Sequence, residues 1–376
     1  MLQRICERRQ YLALGALIIL GGAVIGARAE VSNLLSDDGP HKATFITIDP
    51  PDSTGASPVD INDAGAVLGA FSDAKGSHGF VRAADGNFTI IEKPIPNAET
   101  FFPSVINASG TVAGNVDTGG VSHGFVRRRD GSTVIFDAAP TDGSGGGGTI
   151  VRGINNAGVI VGSFSLHLNG RPHGFIRAVN GAISTVDAPI VGYNPGKTIA
   201  GTTLTAINDR GWVVGSVGQA AFIRDADGRI FSFDVAGAEG TIPMSINDRN
   251  EVVGTAEVPG GDGYEKSVGV RQTFNNYICF LRNKSGYIEI FEDPVGRPRL
   301  FGCKINNRGE ISGTYRDTQR TSVVFRGWLR ARNGDLRVFT YPDARVTIVD
   351  FIDPNGVVGG YYLDDANKKH GFLRVP

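Results

Sequence analysis

The chain has 376 residues and is poor in sulfur, with three cysteines and two methionines. So few cysteines cannot form the disulfide framework that stabilises small secreted scaffolds. Charge of one sign is missing as well: 37 basic side chains stand against 38 acidic ones. That balance gives no electrostatic reason to expect nucleic acid or an anionic membrane as partner. No apolar run reaches the roughly 20 residues needed to span a bilayer, because the longest, Tyr11 to Ile25, is shorter. No amphipathic helical period follows it. Disorder is excluded by a 41% hydrophobic content at near-zero net charge. Glycine is abundant instead, at 53 residues without a collagen-like three-residue period.

Arg4, Arg8 and Arg9, the apolar run and Ala27-Arg28-Ala29 together read as a secretory signal peptide over residues 1–29, cleaved after Ala29. Arg8-Arg9-Gln10-Tyr11-Leu12-Ala13 resembles a twin-arginine signal, with Glu7 where that pattern prefers Ser or Thr, so Sec and twin-arginine export both stay open. The expected location is periplasmic or secreted, with no stable membrane insertion after cleavage. Cys6 leaves with the signal. Cys279 and Cys303 remain, either as a disulfide or as two small buried hydrophobes.

A repeat accounts for the glycine. Ile-Asn recurs at residues 61, 106, 154, 207, 246 and 305, with Ile352-Asp353 as a seventh, variant copy. Three residues after each Asn or Asp stands Gly65, Gly110, Gly158, Gly211, Asn250, Gly309 or Gly356, which marks a tight turn between two strands. A β-branched segment follows, ending in Gly69, Gly114, Gly162, Gly215, Gly254, Gly313 or Gly359. A third strand then carries G-F-x-R, as in Gly79-Phe80-Val81-Arg82, with the aromatic and the Arg present in every copy. Six copies continue into pairs such as Asp85-Gly86 and Asn180-Gly181, read as two-residue hairpin turns. That register sets Phe80 opposite Ile91, Phe125 opposite Phe136, Phe175 opposite Val186, Phe222 opposite Phe233, Phe280 opposite Phe291 and Trp328 opposite Phe339.

The unit is thus four short antiparallel strands, repeated seven times, and the expected fold is an all-β, seven-bladed β-propeller over residues 43–376. The seventh copy lacks a fourth strand, and residues 43–50 supply one, which closes the ring and removes an exposed edge. Residues 30–42 are a short lead-in. The I-N-x-x-G, V-x-G, H-G-F and D-x-P elements resemble the bacterial HAF-type extracellular repeat family across essentially the whole mature chain. The triplet here is His-Gly-Phe, at residues 78–80, 123–125, 173–175 and 370–372. The resemblance implies an exported repeat protein and carries no established activity.

Chemistry is harder to place. His78, His123, His173 and His370 begin third strands without a carboxylate or cysteine recurring at a metal-ligand spacing, so hydrogen bonding within or between blades is the expected role and no metal is called for. The seven Arg of G-F-x-R read as solvated or blade-bridging, with Arg282 opposite Glu289. Acidic turns such as Asp225 to Gly228 lack the remaining ligands of a calcium loop. The stretches 143–148 and 192–198 do not have P-loop spacing, and no cofactor is expected. First-strand positions Asp60, Val105, Gly153, Ala206, Ser245, Lys304 and Phe351 are expected to line the channel and form no ring of ligands.

Longer loops emerge on one face, and the largest is the insertion between Thr255 and Tyr277 in the fifth copy. Its Tyr264, Arg271, Phe274, Asn276 and Tyr277 are the candidate ligand-binding residues, because aromatic, Arg and amide groups suit sugar or peptide recognition. The expected function is an exported monomeric binding module for a glycan or protein ligand. The alternative is an extracellular hydrolase or lyase acting on a polymer.

Overall fold

A computed structural model describes residues 35–36, 43–138, 147–167, 170–189, 201–259, 276–291, 300–317 and 324–376. Every regular element among them is a strand. After β1 (Leu35–Ser36) and β2 (Thr44–Ile48), the first repeat copy forms β3 (Gly55–Ile61), β4 (Val67–Asp73), β5 (Gly76–Arg82) and β6 (Phe88–Ile91), paired in sequence order as an antiparallel meander. The same meander recurs from Thr100 to Phe136, Gly148 to Val186, Thr202 to Phe233, Gly240 to Phe291 and Leu300 to Phe339. Copy seven contributes Val346–Ile352, Val358–Leu363 and Lys369–Val375. Its fourth strand is β2, which pairs antiparallel with the last strand from Thr44↔Val375 to Ile48↔Gly371. β1 lies parallel to the outer strand of copy six, Leu35 opposite Arg337.

The first turn of each copy is built by its Asn, or by Asp353 in copy seven. Asn62 Oδ1 accepts the amides of Ala64 and Ala66, while Gly65 N–H closes on the Asn62 carbonyl. Gly65 sits at φ +74°, a left-handed conformation that costs glycine nothing. The second hairpin differs from the sequence expectation. Ala83 N–H bonds Asn87 O, so the loop holds three residues, Ala84-Asp85-Gly86, with Gly86 at φ +96° in the bulge position. Asp-Gly therefore marks the end of a three-residue loop and not a two-residue turn. Every hairpin moves by one: Phe80 faces Ile90, Phe125 Ile135, Phe175 Thr185, Phe222 Ser232, Phe280 Ile290 and Trp328 Val338.

The corrected register explains the glycine of G-F-x-R. Gly124 lies opposite Phe136, and a methyl group there would overlap the Phe136 ring. The following aromatic is then free to pack sideways. Phe175 meets Phe136 edge-on at 6.0 Å, Phe280 meets Phe233 at 5.9 Å and Trp328 meets Phe291 at 5.9 Å, each ring belonging to the outer strand of the preceding copy. The Arg of the motif covers the same ring, with Arg177 4.8 Å from Phe136, Arg282 5.1 Å from Phe233 and Arg330 5.0 Å from Phe291. Copies three, five and six thus clamp their predecessors with an aromatic edge and a guanidinium face. Arg282 lies opposite Ile288, not Glu289; Glu289 accepts from Arg330 of the next copy at 2.5 Å.

Buried clusters form where neighbouring copies meet. Phe125 of copy two packs with Leu68 and Ile91 of copy one, and Phe339 of copy six packs with Val349 and Phe372 of copy seven. Phe351 and Leu373 of copy seven pack with Ala56, Val67 and Phe80 of copy one. The core is therefore distributed between sheets, and the whole is a propeller-like array of four-stranded antiparallel sheets.

Candidate functional site

The first strands surround a channel, and at the tight-turn end their Asn side chains form a hydrogen-bonded chain. Asn62 Nδ2 donates to the Asn107 carbonyl at 2.9 Å, Asn107 to Asn155, Asn155 to Asn208, Asn208 to Asn247, Asn247 to Asn306, and Asn306 to Asp353. Asp353 carries no amide, so the chain stops there. All seven turns line one cavity of about 210 Å³. The residue after each Asn adds a second set of links, with Asn156 N–H donating to Asp209, Asp209 N–H to Asp248 and Asp248 N–H to Asn307. These side chains are occupied in joining copy to copy.

The four histidines are likewise committed. Nδ1 of His78, His123, His173 and His370 lies 2.6–3.0 Å from Glu92, Asp137, Asp187 and Asp49, each the residue just past a fourth strand. The acid of D-x-P is thus the partner of the His of H-G-F, a pairing across one hairpin that a register error of one residue hides. In copy six Arg326 stands at the His position and makes the equivalent links, to Asp317 at 3.2 Å and Thr340 at 3.2 Å. No three or more His, Cys, Asp or Glu among the described residues are arranged to hold a metal ion.

Of the first-strand positions expected to line the channel, Asp60 lines the turn-end cavity and several others pack elsewhere. Each first strand carries a β-bulge, between Pro58 and Asp60 in copy one and between Val349 and Phe351 in copy seven. The extra residue turns the predicted position sideways against the next sheet. Phe351 is 3% exposed in the cluster joining copies seven and one, Val105 and Ala206 pack in similar clusters, and Ser245 accepts Ile305 N–H. Asp60 accepts Ile106 N–H of copy two at 2.8 Å as well as its neighbour's amide. Burial pushes its pKa up to about 6, against the pull of these amides and of Lys304.

Departures from the repeat gather at and beside the first-strand bulges. Asp350, the bulge residue of copy seven, accepts no hydrogen bond from a described residue, and burial raises its pKa to about 6 while Lys304 and Lys369 oppose the shift. Tyr361, from the second strand of copy seven, is raised by burial and by the Asp350 charge, and the Lys369 ammonium lies 4.4 Å from its ring centre. Arg152, the bulge residue of copy three, has its pKa lowered by burial. Its side chain is exposed, while Val151 and Gly153 on either side are buried. A carboxylate near its switching point, beside ammonium groups and a phenol, can give or take a proton near neutral pH.

Of the sequence-predicted binding residues, Tyr264, Arg271 and Phe274 lie outside the described residues. Asn276 opens the third strand of copy five, and the half-buried Tyr277 stands opposite Glu257. The stretches 143–146 and 192–198 also fall outside. Cys279 and Cys303 are joined in the structure as a disulfide, with Cα atoms 6.6 Å apart, tying copy five to copy six inside their shared core. Sequence reasoning missed Asp350, Arg152 and Tyr361. The one available signal was that Arg and Asp each occur once at a bulge position otherwise held by Val59, Ser104, Thr205, Met244 and Cys303.

No family model matches the chain, and no curated protein matches it in sequence. Solved structures do match in shape. Virginiamycin B lyase from Staphylococcus aureus, in a catalytically inactive form with quinupristin, aligns with a TM-score of 0.55 at 14% identity, over 89% of this chain and 100% of that one. Oligogalacturonate lyase from Vibrio parahaemolyticus aligns at 0.57 and 10% identity, over 89% and 96%. A prolyl endopeptidase aligns at 0.56 and 8% identity, over 86% of this chain and 51% of that one. At such identities the likeness speaks to architecture, and the architecture is that of propeller-fold proteins.

Proposed function

We propose that the chain is an exported, seven-bladed β-propeller of the HAF-type repeat kind, its ring closed by β2, and that it is an extracellular enzyme, a hydrolase or lyase acting on a polymer. The observation that carries the catalytic reading is Asp350, a bulge carboxylate without a described hydrogen-bond donor, raised by burial to about pKa 6 and coupled electrostatically to Lys304, Lys369 and Tyr361. Asp350 serves as the proton-transferring group, and Lys304 and Lys369 stabilise its anion. The fold likeness to two lyases and a peptidase supports the enzyme reading over the binding-module reading, since those proteins are bond-breaking enzymes by name.

A binding role keeps one observation in its favour. Phe102 and Ile242, at equivalent first-strand positions of copies two and five, are 56% and 42% exposed. The test that separates the readings is product release from a panel of polysaccharides and peptides by the mature protein and by Asp350→Asn. Loss of at least about 100-fold in turnover, with no loss of thermal stability, supports the enzyme. Binding without turnover, or turnover indifferent to Asp350→Asn, returns the chain to the binding-module reading.

A further inference from the structure

Six copies place an Asp or Glu just past the fourth strand, and copy six alone places Thr340 there. The same copy holds Arg326 where four others hold the His of H-G-F. Both members of the repeated pair have therefore changed together, from an imidazole and a carboxylate to a permanent cation and a hydroxyl. His78 lies between two carboxylates, Glu92 and Asp73, and His370 lies between Asp49 and Asp364. Arg326 has one, with Nε on Asp317 at 3.2 Å, and in place of the second its Nη1 meets Thr340 Oγ1 at 3.2 Å. The Nη2 end meets no acceptor among the described residues.

A cavity of about 410 Å³ opens at this point, between copies six and seven. That volume falls within the range of small-molecule sites. Its lining holds Arg326 and a second guanidinium, that of Arg345, which is exposed and forms no ion pair with a described residue. Asp343 is the one carboxylate of the lining. Phe325 stands opposite Val346 where the two copies pair, so Arg326 and Arg345 flank a single inter-copy contact. The wall beside them is fixed in advance: Ala344 N–H closes a turn on Tyr341 O, the Tyr341 ring stacks on Tyr362 at 3.7 Å, and its hydroxyl meets Thr47 Oγ1 at 2.7 Å. Two like charges facing one cavity repel, and an anion between them reverses the sign of that interaction. A preorganised wall lowers the ordering cost of binding it.

We propose that this cavity is a binding site for a small organic carboxylate, its anion shared by Arg326 and Arg345 and its apolar body set against Val324, Pro342 and Val346. The ligand supplies the negative charge that the other copies supply from their own Asp or Glu, and the planar fork of Arg suits a carboxylate. Asp343 on the same wall favours a monoanion over a dianion. The apolar half of the lining gives the hydroxyls of a sugar acid few partners. The site stands whether or not the chain turns over a polymer at Asp350.

Calorimetric titration of the mature protein at low salt with phenylacetate, phenylacetamide, phenyl phosphate and glucuronate tests it. Phenylacetate should bind at least about tenfold tighter than phenylacetamide, and tighter than the other two. Arg345→Gln alters an exposed side chain and should weaken phenylacetate about tenfold. Thr340→Asp returns a carboxylate of the chain to Arg326 and should abolish binding with no loss of thermal stability, which separates a filled site from a lost fold. Equal affinity for acid and amide, failure of phenylacetate to bind, tighter binding of phenyl phosphate or glucuronate, or a Thr340→Asp protein that binds as the parent does each overturns the inference.

Discussion

The turn end of the channel and its interior are built from the same first strands and differ in one respect. At the turn end almost every copy carries the same Asn, and each amide is spent on the next copy. Inside, equivalent positions hold Val59, Ser104, Arg152, Thr205, Met244, Cys303 and Asp350, no two alike. Repetition follows where every junction makes an identical physical demand. Variation collects where junctions make no common demand: Cys303 and Thr205 each make a link of their own to a neighbouring copy, whereas the Asp350 carboxylate accepts no hydrogen bond from a described residue. Chemistry is therefore expected in the interior and stability at the repeated positions.

The largest effect should come from the repeated aromatic. Phe175→Ala empties a site that is 0% exposed and removes the edge contact to Phe136, along with part of the surface under Arg177. A loss of about 3–5 kcal/mol is expected in denaturant unfolding. A loss below about 1 kcal/mol would mean that the inter-sheet clamp carries little, and the contrast between the two regions would weaken. Asn155→Ala comes next. It removes the bond to Asn208 and the acceptor for Val159 N–H in a residue 5% exposed, for about 1–3 kcal/mol, with no change in ligand binding.

In the interior the sign reverses. Because burial raises the folded pKa of Asp350 from 3.8 to about 6, the native state holds a proton that the unfolded chain releases. Stability should therefore fall as pH rises from about 4 to 6 and level off above that range. Asp60 shares the direction, so Asp350→Asn should flatten the slope in part and raise the melting temperature at pH 8. Melting curves across pH 4–8 decide it, and an unchanged slope in Asp350→Asn would falsify the placement of a destabilising carboxylate there.

The two regions were not equally legible in the sequence. The repeat could be read because Asn at the turn, Gly in the second strand and the aromatic of the third strand answer local needs that recur in every copy. The hairpin register was misjudged by one residue throughout, since Asp-Gly serves both two-residue turns and the three-residue loop found at Gly86, and internal consistency could not separate them. That one residue also concealed the link from His78 to Glu92 and the stacking of Arg177 on Phe136. The interior was illegible for a different reason. Arg152 and Asp350 each stand at a first-strand bulge that no composition rule marks.

The smallest expected effect lies where the repeated ring breaks its own rule. Asp353 stands where the other six copies have Asn, and its Oδ1 accepts Asn355 and Val357 amides as the Asn side chains do for their own turns. What it cannot do is donate onward to Asn62, so the junction of copies seven and one lacks the link that every other junction has. Beside that junction, β2 pairs with the last strand of copy seven. Asp353→Asn keeps both accepted bonds, removes a charge from a residue 2% exposed and supplies the missing donor. A gain of about 0.5–1.5 kcal/mol follows if the Asn chain is cooperative all the way round. Coupling can be read from a double-mutant cycle with Asn306→Ala at the adjacent link. Stabilisation that survives unchanged in the Asn306→Ala background would show a set of independent pairwise links and not a ring.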